Sequence, residues 1–196
     1  IRDSDTAIGL DPLTGTGNIP LFEADNATND PIIATVSVTP SNNETDPSLA
    51  CEGSSMEFTI TVNPTAQVDP IASLDLCNGD NAIVDFTTSN GGVDSVTSYS
   101  WEVTGDDIGI PLLGNDNINL TVTNETDADL VATVTVTPTY TNDGVDCTGP
   151  SEEFSITVSP TAQVEQVDDI VVCNGDEVSE IEFSTLIEND IVYSWS

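Results

Sequence analysis

Four stretches of the chain alternate strictly between apolar and polar residues. They read A-T-V-S-V-T at 34–39, A-T-V-T-V-T at 132–137, F-T-I-T-V at 58–62 and F-S-I-T-V at 154–158. Strict alternation is typical of a β-strand with one buried face, and the abundant valine and threonine favour that conformation. The prolines that closely follow these stretches are Pro40, Pro64, Pro138 and Pro160. Because proline cannot donate to a strand ladder, we expect each of them to end its strand.

The longest of these patterns occurs twice. E-F-T-I-T-V-N-P-T-A-Q-V at 57–68 matches E-F-S-I-T-V-S-P-T-A-Q-V at 153–164. A cysteine precedes each copy, a C-N-G-D sequence follows it, and both features recur after 96 residues. A fixed period of this kind predicts a tandem array of similar modules.

The period divides the chain into one complete module and two partial ones. Residues 1–64 are predicted to be the C-terminal part of one module, 65–160 a complete module, and 161–196 the N-terminal part of the next. The Tyr-Ser-Trp sequence at 99–101 recurs near the end of the chain, without the residues that follow it in the complete module. We therefore expect this chain to be a piece of a longer array or one subunit of a polymer.

The complete module is predicted to hold about seven short strands, a number typical of an immunoglobulin-like β-sandwich. The segments read from the pattern are 72–76, 84–88, 99–103, 118–122, 131–137 and 154–158, with a loop running through Cys147. Trp101 would lie on the third strand with its indole buried. No window shows the apolar spacing of a helix. We predict an all-β fold of tandem immunoglobulin-like sandwich modules arranged end to end.

The charge of the chain is extreme. It has 35 acidic residues, one basic residue, and neither lysine nor histidine. Nucleic-acid binding requires cations against phosphates and is excluded, and an anionic membrane surface would repel the chain. No apolar run of membrane-spanning length occurs, so membrane insertion is not expected. The acidic surface is interpreted either as a solvating face or as a surface that binds divalent cations or functions in high salt.

Four cysteines occupy positions locked to the repeat: Cys51, Cys77, Cys147 and Cys173. Such usage favours disulfides in an oxidising compartment, and the absence of histidine and of short Cys-Cys spacings argues against zinc. One hypothesis is a staple in which Cys77 bonds the Cys51 equivalent of the following copy and Cys173 bonds that copy's Cys147 equivalent. The alternatives are Cys77–Cys147 within one module, or Cys51–Cys77 together with Cys147–Cys173 across the junction.

These residues resemble a known family. The C-N-G-D turn, the Y-S-W strand at 99–101, the V-T-V-T strand at 134–137, the second cysteine and the closing F-T-I-T-V-N-P at 58–64 are similar to PKD-like repeats of giant cell-surface proteins in Bacteroidetes, among them SprB-type gliding-motility adhesins of flavobacteria. The resemblance covers nearly the whole chain. It implies an extracellular, cell-surface location, long arrays, and a role in adhesion or gliding motility. It also implies O-glycan acceptors of the pattern Asp-Ser/Thr-apolar, which Thr6 and Ser95 match.

Other candidate sites carry less specific signals. Calcium prefers oxygen ligands, and the acidic pairs that could supply them are Asp3/Asp5, Asp25/Asp30, Asp106/Asp107, Asn115/Asp116 and Asp127/Asp129. Trp101 and Trp195 could be sugar platforms, but alternation predicts that both are core residues. The N-x-S/T sequons at Asn26, Asn43, Asn119 and Asn124 are interpreted as incidental in a bacterial protein, whereas in a eukaryotic protein they would be glycosylation acceptors.

The interpretation that unites these observations is a structural role without catalysis. With no histidine or lysine, no hydroxyl has an obvious base to activate it, and no cofactor is expected. We expect a segment of an exported adhesin or filament whose partners are neighbouring copies of the same repeat. The alternatives are a surface module that binds calcium or a polysaccharide, and a fibre subunit in which 161–196 of one chain completes 1–64 of the next by strand complementation.

Overall fold

The computed structural model describes residues 8–42, 51–187 and 191–196. Their regular structure is entirely β, in a sandwich-like architecture, which confirms the predicted class. The strands in chain order are β1 (Ile32–Val38), β2 (Met56–Val62), β3 (Leu74–Cys77), β4 (Asn81–Val84), β5 (Val96–Gly105), β6 (Leu113–Asn115), β7 (Ile118–Thr121), β8 (Leu130–Asn142), β9 (Val145–Thr148) and β10 (Glu152–Ser159). Within those ranges no helix is long and apolar enough to span a membrane.

Three sheets contain these strands. β1 and β2 form an antiparallel pair that runs from Ile32 opposite Val62 to Val38 opposite Met56. A six-stranded sheet has the order β3-β10-β8-β5-β6, with β9 paired to β8, and β4 pairs with β7. β3 runs parallel to β10, with Ile156 opposite Leu74. The strand that opens the complete module therefore runs in the same direction as the strand that closes it.

The four alternating stretches all form strands, but the prediction that proline ends each of them is wrong at Pro138. β8 continues through this proline to Asn142. Up to Val136 the strand pairs with β10, and from Thr139 onward it pairs with β9. Pro138 lies between the two ladders, where no partner needs its missing N–H, and its carbonyl accepts a hydrogen bond from the Gly149 N–H at 3.1 Å.

Two short strands were not expected, and a third is displaced. β6 falls between the strands predicted at 99–103 and 118–122, β9 replaces the loop predicted through Cys147, and β4 precedes the predicted strand at 84–88. The turn between β8 and β9 is Asp143–Gly144, both with positive φ, as a two-residue hairpin turn requires. An Asp-Gly pair is a strong hairpin signal, so β9 was readable from the sequence.

The chain divides into two compact units. The first comprises residues 1–69, 87–99 and 137–151, and the second comprises 70–86, 100–136 and 152–196. One apolar cluster of the first unit is centred on buried Ile8, Leu10 and Ala34. The buried apolar residues of the second unit include Trp101, Val103, Val134, Val136, Phe154, Ile156 and Val158. The apolar positions of β8 and β10 therefore form the inward face that their alternation predicts.

Candidate functional site

The segment that joins β2 to the next module is packed, although connecting segments ordinarily lie exposed on the surface. We call residues 62–67 the linker. Its Pro64 and Ala66 are fully buried. This packed segment is the first candidate for a functional site.

Side chains from distant parts of the first unit bind the linker. The Asn142 Nδ2 donates to the Asn63 Oδ1 at 2.7 Å. The Asn90 side chain bonds the linker twice: its Nδ2 donates to the Thr65 carbonyl at 3.1 Å, and its Oδ1 accepts from the Gln67 N–H at 2.7 Å. These bonds satisfy polar groups on both sides of Pro64, so the linker is fixed along its length.

Glycines allow the backbone of the first unit to close around these residues. A β-carbon on Gly149 would overlap the carbonyl of Ala66, and one on Gly91 would overlap the Asp30 carboxylate. The Gly91 N–H donates to the Asn29 carbonyl at 2.9 Å. Gly149 is therefore a position where the close approach itself requires glycine, because the atom that a β-carbon would meet belongs to the backbone.

A buried tyrosine completes this contact. Tyr140 is 1% exposed, and its hydroxyl donates to the Gly91 carbonyl at 2.8 Å. No pattern in the sequence predicted a role for Tyr140, Gly91 or Asn142. The only local signal was the Gly-Gly pair at 91–92, because the partners of these residues are far away in sequence.

Two N-x-T sequons have a structural role. The Asn26 Nδ2 donates to the Val62 carbonyl at 2.8 Å, where β2 ends, and the Asn124 Nδ2 donates to the Val158 carbonyl at 2.6 Å near the end of β10. In both copies the threonine hydroxyl, of Thr28 or Thr126, donates to the asparagine Oδ1. We call this arrangement the asparagine clamp. Asn124 is only 2% exposed, so its side chain is inaccessible to glycosylation in the folded chain.

The C-N-G-D turn meets the clamp at the end of β10. The Asn78 N–H donates to the Ser159 carbonyl at 2.9 Å, and the Asn78 Nδ2 donates to the Thr161 hydroxyl at 3.0 Å. The Asn78 Oδ1 accepts from the Asn124 N–H at 2.9 Å. Gly79 adopts a positive φ of 91°, which this turn needs at its third residue. The turn thus fixes the point at which the chain leaves the module.

The predicted disulfide cysteines are not joined to one another. Cys77, Cys147 and Cys173 have free thiols, so none of the pairings within this chain is formed among the described residues. Cys77 lies opposite Ser159 at the parallel edge of β10, and Cys147 lies opposite Tyr140 in the hairpin of β8 and β9. A staple to a second copy involves residues outside this chain and stays a prediction.

The acidic pairs considered for calcium do not converge. In the described ranges no group of three or more acidic or cysteine side chains could hold a metal ion, and Asp3 and Asp5 lie outside those ranges. Some of these carboxylates bind backbone instead. The Asp106 Oδ2 accepts from the Val131 N–H at 2.8 Å, and the Asp107 Oδ1 accepts from the Gly109 N–H at 3.0 Å.

Of the two O-glycan candidates, Thr6 lies outside the described residues. Ser95 is half-buried, and its hydroxyl lies 3.1 Å from the carbonyl oxygens of both Gly91 and Gly92, to which it donates. Its hydroxyl therefore supports the loop that approaches Asn29. Glycosylation at either position stays a prediction.

The two tryptophans differ. Trp101 is 6% exposed, and its Nε1 donates to the Asp116 carbonyl at 3.1 Å, which confirms it as a core residue. The same prediction is wrong for Trp195, which is 85% exposed. Trp101 is covered from β6, since a β-carbon on Gly114 would overlap its ring.

One side chain of the first unit has a shifted pKa. Burial raises the pKa of the Tyr99 phenol above its usual 10.0, and the carboxylate of Asp69 raises it further, while a hydrogen bond with Thr88 acts in the opposite direction. The phenol is therefore held in its neutral form.

No family model matches this chain, and no curated protein matches it. Its function is therefore argued from the linker, the asparagine clamp and the repeated geometry.

Proposed function

We propose that this chain is a non-enzymatic structural repeat segment of an exported cell-surface adhesin or filament, which projects from the cell for adhesion or gliding motility. The observation that carries the proposal is the packed linker, with buried Pro64 and Ala66 and the bond between Asn63 and Asn142. A rigid connection of this kind transmits force and orientation along an array, whereas a flexible linker would not.

Duplicated hydrogen bonds support a tandem arrangement with module boundaries near Pro64 and Pro160. The Thr39 and Ser55 hydroxyls lie 2.7 Å apart, and their equivalents Thr137 and Ser151 lie 2.8 Å apart. The asparagine clamp is likewise present in both copies. Since β3 and β10 run in the same direction, immunoglobulin-like modules can follow one another head to tail without reversing the chain.

An extracellular location is supported by sequence chemistry. A chain with 35 acidic residues and one basic residue has a high negative net charge. Electrostatic repulsion between such chains prevents aggregation when they are exposed in a long fibre. The resemblance to PKD-like surface repeats points in the same direction, towards adhesion or gliding.

Labelling of intact cells that produce the protein tests this proposal. Antibodies raised against the chain should decorate filaments outside the cell, and protease added to intact cells should remove the label. Labelling that appears only after permeabilisation would contradict a surface location. Gel analysis of the native protein in denaturant and reductant should give a species far above the 20.6 kDa of this chain if one polypeptide forms the array.

A further inference from the structure

The hairpin of β1 and β2 is a copy of β8 and β10 whose apolar face is covered at Ala34 and Val36 but exposed at the end that carries Val38 and Phe58. Phe58 is 39% exposed, while its equivalent Phe154 is 4% exposed; Val38 is 43% exposed, while Val136 is fully buried. β10 has β8 along one edge and β3 along the other, whereas among the described strands β2 pairs with β1 alone. The second edge of β2 thus corresponds to an edge that is occupied in the complete module.

The segment 161–196 is a copy of the part that covers this edge in the complete module. Its C-N-G-D turn forms as the first one does: the Cys173 N–H donates to the Asp176 Oδ2 at 3.1 Å, and the Cys77 N–H donates to the Asp80 Oδ2 at 2.9 Å. The bond from the Glu165 N–H to the Ser184 carbonyl, 2.9 Å, repeats the bond from Asp69 to Thr87, 2.8 Å. The segment therefore has the local geometry of a module front.

This segment also leaves its apolar residues uncovered. Ile170 and Val172 are 52% and 49% exposed, and Phe183, whose equivalent Phe86 is buried, is 39% exposed. An open cleft of about 360 Å³ lies between Val167, Ile170, Val172 and Val178. Exposed apolar patches next to vacant strand edges mark surfaces that bind partners.

We propose that 161–196 of one copy of this chain docks on the β1–β2 hairpin of a second copy, with residues 170–173 added as a parallel strand along β2. The complete module supplies the register, because Ile156 lies opposite Leu74 and Thr157 opposite Asp75. Shifted by the period of 96 residues, this places Ile170 opposite Ile60, Val171 opposite Thr61 and Val172 opposite Val62. The inference rests on the proposed modular function and specifies how consecutive copies meet.

The occupant is identified by the repeat itself. The hairpin has the sequence and pairing of β8 and β10, and in the complete module the strand beside β10 is Leu74–Cys77. Ile170–Cys173 reads I-V-V-C and corresponds to Leu74–Cys77, which reads L-D-L-C. In both segments the cysteine begins a C-N-G-D turn. Docking would pair the second edge of β2 with a strand, as strand addition does in known peptide recognition. Because both copies are acidic, their charges oppose association. Salt screens this repulsion, so the docking should be stronger at high salt.

Cross-linking of full-length chains tests the register. Both partners carry serine in place of Cys51, Cys77, Cys147 and Cys173; one also carries Thr61→Cys and the other Val171→Cys, both at exposed positions. The two are refolded together in high salt and oxidised. The matched control is one chain with Asp75→Cys and Thr157→Cys, which has the same strand geometry inside a module. Far-UV circular dichroism verifies that each variant folds.

The heterodimer should exceed either homodimer about tenfold or more, since docking raises the effective concentration of the two thiols, and the control should form its bond within one chain. Suppose that the control forms its disulfide but the mixture gives heterodimer and homodimers in the proportions of random pairing. The docking is then refuted, and the proposed structural function stands. If the control fails to link, the pairing of β3 with β10 is wrong, and the inference falls with it.

Discussion

Gly149 lies so close to the carbonyl of Ala66 that no β-carbon fits between them. Gly149 follows the β8–β9 hairpin, whereas Ala66 belongs to the linker, 83 residues earlier in the sequence. The Gly149 N–H also donates to the Pro138 carbonyl at 3.1 Å, so the glycine cannot move away without losing that bond. The packing of the linker thus depends on the absence of a side chain at one distant position.

Gly149→Ala should therefore destabilise the first unit by about 1–3 kcal/mol, the usual cost of overpacking a well-packed site. Urea unfolding followed by circular dichroism measures the change. Gly15→Ala is the matched control, because a β-carbon there meets nothing within 4 Å, and it should change stability little. Equal stability of the two variants would show that the linker is not packed against Gly149.

Asn124→Ala should cost about 1–3 kcal/mol, because it removes the buried side-chain bond to the Val158 carbonyl and the bond to the Ala128 carbonyl, which keeps only the Thr126 hydroxyl as a side-chain donor. The control is Asn119→Ala, at an exposed asparagine of another N-x-T sequon, which should stay within about 0.5 kcal/mol of the parent chain. Chemical denaturation compares them. A mild effect at Asn124 would mean that the clamp does not hold the end of β10.

Tyr99 should make stability fall in alkaline solution. Because the pKa of its phenol is higher in the folded chain than in the unfolded one, the folded state binds the proton more tightly. This contribution is complete below about pH 10 and is lost as the pH rises through the folded pKa. Urea unfolding across this range should show a decline that Tyr99→Phe reduces. If the free energy of unfolding declined equally with pH in the parent chain and in Tyr99→Phe, Tyr99 would be excluded as the source of the decline.

Salt should raise the melting temperature, because 35 acidic residues repel one another across the folded chain. Most of the rise should occur as the Debye length falls from about 30 Å at 0.01 M to about 8 Å at 0.15 M. Thermal unfolding in sodium chloride and in calcium chloride of equal ionic strength separates screening from binding. Equal curves would indicate screening alone, whereas a further rise in calcium would indicate a site that the described acidic residues do not form.

Much of the fold was predictable because strand formation here follows from local chemistry. The alternation at 34–39 and 154–158 predicted β1 and β10 and the face that each buries, since a strand with one wet face must alternate. The duplicated pattern predicted similar hairpins, and they have matching hydrogen bonds. By contrast, the continuation of β8 through Pro138 depended on a change of partner strand, and no local rule contains the partner.

The sequence by itself determined the all-β class, the repeat and the burial of Trp101, because these depend on periodicity and residue type along the chain. Only the tertiary structure decided that the linker is packed, that Asn124 closes a clamp, and that Phe58 and Trp195 stay exposed while their equivalents are buried. The physical reason is that burial and hydrogen bonding require a second surface. For nearly identical local sequences, that surface is supplied by residues far away along the chain.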